Sequence, residues 1–345
     1  MMSAMSETAV LPRRALGSSG LEITTIGFGA WAIGGGGWSF GWGPQDDADS
    51  VAAIRSAVER GINWIDTAAV YGLGHSEEVV GRALRDLPAG ERPYVFTKCG
   101  LVWSEADRMA PATRVSTPAA VRQGCEASLK RLGVERIDLF QFHWPDERGT
   151  PLEDSWGEMA RLVDEGKIRL AGVSNYKVPL LEQCEAIRHV DSLQPPLSLI
   201  RRDTAAAEVP WCASHGTGVI VYSPLQSGLL TEGFTAGRVA TMADDDWRKR
   251  SDNFQPPKLA KNLALRDALL PLARKHRTTV PAVAIAWTLS WPGITGAIVG
   301  ARSAAQIDGW IGGAGVTLDQ DDLDQIGEAI RTTGAGTGPE RPPAA

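Results

Sequence analysis

The sequence predicts a closed (β/α)8 barrel, a single TIM-type α/β domain with extra C-terminal helices and long rim loops. Three observations predict it. Eight short apolar runs alternate with stretches that carry helix signals. They are evenly spaced, and no linker, internal repeat or second domain interrupts residues 14–331. Most runs are continuously apolar rather than alternating, as strands covered on both faces are. A doubly wound open sheet is the competing layout, but even spacing and short strands favour the barrel.

The elements follow in order. Residues 24–28, 63–66, 94–98, 138–142, 169–173, 191–194, 218–222 and 296–299 read as strands. Helices are expected at 48–60, 77–84, 118–132, 152–165, 178–187 and 205–215, then at 263–275 with 281–289. Thr117 precedes Pro118, an N-cap followed by proline at the first helical position, where its missing N–H is not needed. Gly61, Gly133 and Gly166 stand where helices should end. Residues 1–13 and 332–345 read as flexible tails, the second rich in Gly, Pro and Ala.

Composition bounds the function. Of 345 residues, 43% are hydrophobic and 22% charged, ordinary for a globular protein. The net charge of −6 argues against a nucleic-acid surface. No apolar run reaches the roughly 20 residues that span a bilayer. Residues 1–10 lack the basic head and apolar centre of a signal peptide. The cysteines at 99, 125, 184 and 212 are scattered, which suits free thiols in a reducing cytoplasm. Neither they nor the five histidines have zinc spacing, so no metal is expected.

Gly27-Phe-Gly29-Ala30-Trp31-Ala32 fits the G-x-G-x-x-A pattern of a dinucleotide-binding turn. Its context fails. A helix should start at once, but glycines 34–37, 41 and 43 follow, each costing about 1 kcal/mol in a helix relative to alanine. The stretch reads as a rim loop, with Trp31, Trp38 and Trp42 either walling a pocket or packing locally.

Four residues carry the chemistry. Asp66, Lys98 and His143 end successive apolar runs, and Tyr71 follows Asp66 closely. Parallel barrel strands bring such ends to one rim. Each residue alone reads as structural; together they form an acid, a phenol, an ammonium and an imidazole in one place. A phenol titrates near ~10, and the Lys98 ammonium is expected to lower that value while Asp66 orients the lysine. Tyr71 then suits general-acid work on a carbonyl oxygen, with His143 giving a second hydrogen bond. Nothing in the set delivers electrons, so a hydride donor is required.

At this point the sequence resembles the aldo-keto reductase superfamily. Asp66-Thr-Ala-Ala-Val-Tyr71-Gly72, Thr97-Lys98 and His143-Trp144-Pro145 resemble its catalytic segments. The resemblance implies NADP(H) as cofactor, preferred over NAD(H), and a small carbonyl or alcohol substrate, with no membrane or nucleic-acid partner. It sets no oligomeric state. Ser174, Asn175 and Gln194 resemble the carboxamide-binding set. Tyr222-Ser223-Pro224-Leu225, with Ser227, Gly228 and Leu229, resembles the segment that stacks on nicotinamide and holds pyrophosphate. Gly300, Ala301, Arg302 and Gln306 resemble the adenosine end, where the Arg302 fork suits a 2′-phosphate. Gly29, Ala30, Trp31 and Asp66 complete the implied cofactor contacts. Trp31, Trp38, Tyr71, Trp103, His143 and Trp144 are the implied substrate walls. Two positions depart from the pattern: Leu197 replaces a frequent tyrosine, and Trp310 a common asparagine near adenine. Residues 233–261 read as an inserted loop, either closing over the site or a solvated excursion. Potassium-channel β subunits share the fold and the four residue types, so an NADP(H)-binding, redox-sensing regulatory subunit with little turnover is the alternative.

Overall fold

The computed structural model describes residues 10–343. Eight parallel strands close into a barrel in sequence order: β1 (Ile26–Gly29), β2 (Trp64–Asp66), β3 (Tyr94–Cys99), β4 (Ile137–Phe142), β5 (Ile168–Ser174), β6 (Ser192–Gln194), β7 (Gly218–Tyr222) and β8 (Gly296–Gly300). The helices are α1 (Asp47–Glu59), α2 (His75–Arg85), α3 (Pro118–Leu132), α4 (Leu152–Asp164), α5 (Val178–Glu185), α6 (Glu208–His215), α7 (Ala236–Ala240), α8 (Lys258–Ala268), α9 (Leu270–Lys275), α10 (Val280–Leu289), α11 (Ala304–Asp308) and α12 (Gln320–Thr333). Among the described residues no helix is long and apolar enough to cross a membrane, and all four cysteines are buried without disulfides.

Period two along each strand divides the core. Phe28, Ile65, Val95, Phe140, Val173 and Val221 face outward into the large core under the helices. Trp64, Phe96, Leu139, Leu170, Ile220 and Ile298 face inward and fill the barrel floor. A hairpin of Arg13–Ala15 with Glu22–Thr24 adds Leu16, Leu21 and Ile23 to that floor. The glycines of the G-x-G-x-x-A stretch serve this packing. A Cβ on Gly27 would enter the Trp64 ring, and one on Gly29 would stand 2.7 Å from Ile298 Cγ2. A single 3-10 turn, Ala32–Gly34, follows β1 where a dinucleotide fold needs a helix.

Each strand end falls within two residues of its expected position. Thr117 caps α3 by accepting from the Ala120 N–H, and Gly133 ends it at φ 67°. The helix expected at 263–275 is two helices, beginning at 258 and breaking at Leu269, because Pro271 has no N–H to continue the ladder. The helix expected at 205–215 starts as a 3-10 turn, Asp203–Ala206.

The tails need correction. Residues 1–9 lie outside the described residues, and Arg13 is already in the hairpin. Residues 332–343 are not loose throughout. α12 runs to Thr333 and ends on Gly334 in the left-handed region. The following segment then pairs with residues 200–202: the Arg202 N–H donates to Thr337 O at 2.9 Å and the Thr337 N–H to Ile200 O at 3.2 Å. Its glycines, which suggested disorder, allow this approach, since a Cβ on Gly336 would collide with the Ile200 carbonyl.

Candidate active site

The inward positions place the polar residues. β2 ends on Asp66, and its neighbour β3 carries Lys98. Lys98 Nζ donates to Asp66 Oδ1 at 2.6 Å and to Thr67 O at 2.9 Å, with both side chains buried. Gln194, at the end of β6, donates to Asp66 Oδ2 at 2.7 Å. Tyr71 lies in the loop after β2. Ser76 fixes that loop, its hydroxyl donating to Ala30 O at 2.8 Å and its N–H to Tyr71 O at 3.1 Å. The Tyr71 ring centre lies 5.3 Å from Lys98 Nζ. His143, just past β4, sets its ring edge-on to Tyr71 at 5.5 Å.

Burial sets the electrostatics. It pushes the Asp66 carboxyl up and the Lys98 ammonium down, and their contact opposes both shifts. The ion pair is the form these contacts satisfy, because Lys98 donates twice and Asp66 accepts on both oxygens. Tyr71 corrects the expectation. Its phenol is held well above 10, first by burial, then by the charges of Asp66 and Tyr222. Burial, and then Lys98, hold the His143 imidazole well below 6.5. At neutral pH the site therefore presents a protonated phenol and a neutral imidazole.

A cleft of about 880 Å³ opens above this group. Asp66, Tyr71 and His143 line it, and Lys98 is buried beneath. Every other residue expected at the cofactor lines the same cleft, from Gly29, Ala30 and Trp31 through Ser174 and Asn175 to Arg302 and Gln306, except Leu229, whose side chain is fully buried. Trp38 and Trp144 line it as well. Trp103 does not: its indole N–H donates to Glu105 Oε1 at 2.8 Å. Trp310 is a nearly buried wall, and Leu197 is core.

The cleft's chemistry fits a dinucleotide. The Tyr222 ring is anchored by its hydroxyl, which donates to Asn175 Oδ1 at 2.8 Å, and Asn175 Nδ2 donates to His143 O at 3.0 Å. Beyond it the backbone curls through left-handed conformations at Ser223, Gln226, Ser227 and Gly228, with φ 57°, 45°, 54° and 99°. Such concave runs of N–H groups suit phosphate oxygens. The Arg302 guanidinium donates to Gln45 Oε1 at 2.6 Å and to the carbonyls of Trp42 and Pro44; burial first, then the charge of Arg248, lower its hold on its proton, with Asp246 opposing and Arg238 adding to them. That excess of positive charge suits a phosphate ester.

Some lining residues not evident in the sequence, such as Phe40 and Arg114, come from other rim loops, and a further group comes from the 233–261 segment. Trp247 stacks on Trp31 at 5.1 Å, and Trp31 stacks on Tyr71 at 6.0 Å. Arg248 lies 4.4 Å over the Trp42 ring and is locked by Asp246 at 2.6 Å. Asp245 accepts from the Gly37 N–H at 3.0 Å. The segment straps the glycine-rich loop onto the site. Its alternation of acidic residues 244–246 with basic residues 248–250 was the only signal in the sequence.

Comparison with known proteins agrees with this architecture. The Aldo/keto reductase family pattern matches residues 25–331. Aldo-keto reductase YhdN of Bacillus subtilis (strain 168) is 34% identical over 320 residues, 92% of this chain and 93% of that protein. Probable aldo-keto reductase 1 of Glycine max is 33% identical over 327 residues, 94% and 90%. The structure of glycerol dehydrogenase AKR11B4 from Gluconobacter oxydans superposes with a TM-score of 0.84 at 36% identity, covering 96% of this chain and 99% of that one. With a family match across most of its length and full-length relatives above 30% identity, the chain belongs to the aldo/keto reductase family of oxidoreductases.

Proposed function

We propose that this enzyme reduces aldehydes or ketones to alcohols, reversibly, with NADP(H) preferred over NAD(H). Its family acts on small carbonyl substrates and generally uses NAD(P)H. The observation that carries the reading is the meeting of Tyr71 and His143 above the buried Lys98–Asp66 pair, in a cleft that continues to Arg302. Ser174, Asn175 and Gln194 would hold the carboxamide, and Tyr222 the ring. The backbone of 223–228 would hold the pyrophosphate and Arg302 the 2′-phosphate. NADPH, when bound, supplies the hydride.

The chain's own residues manage the proton. Tyr71 donates its phenolic proton to the carbonyl oxygen, and its raised proton affinity keeps it loaded at neutral pH. Lys98 steadies the phenolate left behind. Neutral His143 directs an N–H at the same oxygen. In reverse, the tyrosinate accepts the alcohol proton. Trp31, Trp38 and Trp144 shape the substrate space. Buried free thiols favour a cytoplasmic setting.

The test is Tyr71→Phe assayed with NADPH and 4-nitrobenzaldehyde. NADPH affinity should persist, and reduction should fall by about 10²–10⁴, the usual contribution of a positioned acid. Unchanged turnover removes the mechanism. Binding without turnover in the wild type, across a broad carbonyl panel, favours the redox-sensing reading. Glycerol belongs in the alcohol panel, because a 36% identical relative is a glycerol dehydrogenase.

A further inference from the structure

One buried polar side chain has no part in the chemistry above. Gln141 lies on β4, two residues before His143, and is fully buried. In register it stands beside Lys98 on β3 and Gly172 on β5, so it points into the barrel as Lys98 does. The surroundings make room for it. A Cβ on Gly172 would lie 3.1 Å from Gln141 Cγ and 2.8 Å from Ser192 O. One layer below, Leu139 belongs to the apolar floor, and leucine at 141 would continue that floor without burying an amide. The amide is instead present, and its Nε2 has no hydrogen-bond partner among the described residues. An unmet buried donor is costly to the fold.

The place of that donor is informative. Gln141 Oε1 lies 3.5 Å from Gln194 Nε2, the group that donates to Asp66 Oδ2 at 2.7 Å. Burial raises the Asp66 carboxyl, and Gln141 is among the groups that pull it back down, after Lys98 and Gln194. Gln194 faces two demands on one amide, Asp66 and a nicotinamide carboxamide. Gln141 Nε2 is the unspent donor beside them.

We propose that Gln141 is a positioning residue for proton transfer, its amide holding Asp66 against Lys98 when Gln194 turns to the cofactor. The inference rests on Tyr71 being the proton donor. Gln141 does not line the cleft, so it acts through Asp66 and Lys98 on the phenol. Without it the ammonium is less firmly held and the tyrosinate is harder to form.

The experiment compares Gln141→Met, close to glutamine in volume, and Gln141→Leu with wild type and Tyr71→Phe. In both Gln141 variants the alkaline limb of alcohol oxidation should move up by about one pH unit, and kcat at neutral pH should fall about tenfold. NADPH affinity, read by fluorescence quenching, should stay within about twofold of wild type. A loss of packing alone would lower stability without moving the limb. An unmoved limb and unchanged kcat in Gln141→Met, with Tyr71→Phe inactive, overturns this proposal alone. Retained reduction in Tyr71→Phe overturns the parent mechanism and this proposal with it.

Discussion

Replacing Lys98 with methionine should make the barrel's stability fall as pH rises. Lys98 is fully buried, 2.6 Å from Asp66 Oδ1. At an effective dielectric of 20, unit charges at that separation attract by about 6 kcal/mol before desolvation is counted. Truncating one partner of such a buried pair costs roughly 3–5 kcal/mol. The variant can escape part of that cost by protonating Asp66, which burial already favours. The sign follows from the titration. With no ammonium beside it, the folded carboxyl binds its proton more tightly than the unfolded one, which titrates near ~3.9. Between those two values the folded state holds more protons, so stability drops as pH rises, by up to about 1.4 kcal/mol per pH unit. The drop ends once pH passes the raised value of the folded carboxyl, by which point it can total roughly 3–5 kcal/mol. Urea midpoints of both proteins, measured at several values between about pH 4 and 8, test this. A difference between wild type and variant that is the same at every pH refutes the reasoning, because Asp66 would then not titrate in response to the missing lysine.

Three further outcomes are expected. The reduction rate should be flat through neutrality, since Tyr71 stays protonated and His143 neutral, while alcohol oxidation should still be climbing near pH ~10 as tyrosinate forms; a reduction rate that falls from about pH 6 to 7 would mean an imidazolium is needed. Arg302→Ala should weaken NADPH binding far more than NADH binding, in titrations of each cofactor, and equal losses would show that Arg302 does not read the 2′-phosphate. Gly27→Ala should destabilise the barrel by about 1–3 kcal/mol, because the new methyl must displace the Trp64 ring; an unchanged thermal midpoint would refute that packing account.

The strands and the candidate site were legible for one reason. Continuous apolar runs mark strands covered on both faces, and polar residues at their ends, Asp66, Lys98, His143 and Gln194, are hard to explain in a core. What escaped depends on chain segments far apart in sequence. The direction of Tyr71's shift is set by burial and by Asp66 and Tyr222 together, which no local pattern reveals. Trp247 meets Trp31 across more than two hundred residues, so its role in the strap had no sequence periodicity to announce it. Trp103 packs against the cluster of Trp38 and Val70, with its indole N–H on Glu105, a placement outside the cleft that its type and position in the chain do not reveal. The C-terminal glycines read as disorder because composition cannot distinguish freedom from close approach.

That segment ties residues 335–338 to the cofactor rim. Arg202, almost fully buried, donates to the carbonyls of Leu199, Ala335 and Gly338, and Ser198 beside it donates to Gln226 in the curled backbone. A ribosome that has released β8 has already delivered all eight staves of the barrel, yet the arginine still lacks two of its acceptors. The rim is secured only when residues 335–338 fold back over Arg202, so a chain cut after Gly334 would keep all eight strands and lose that tie at the mouth.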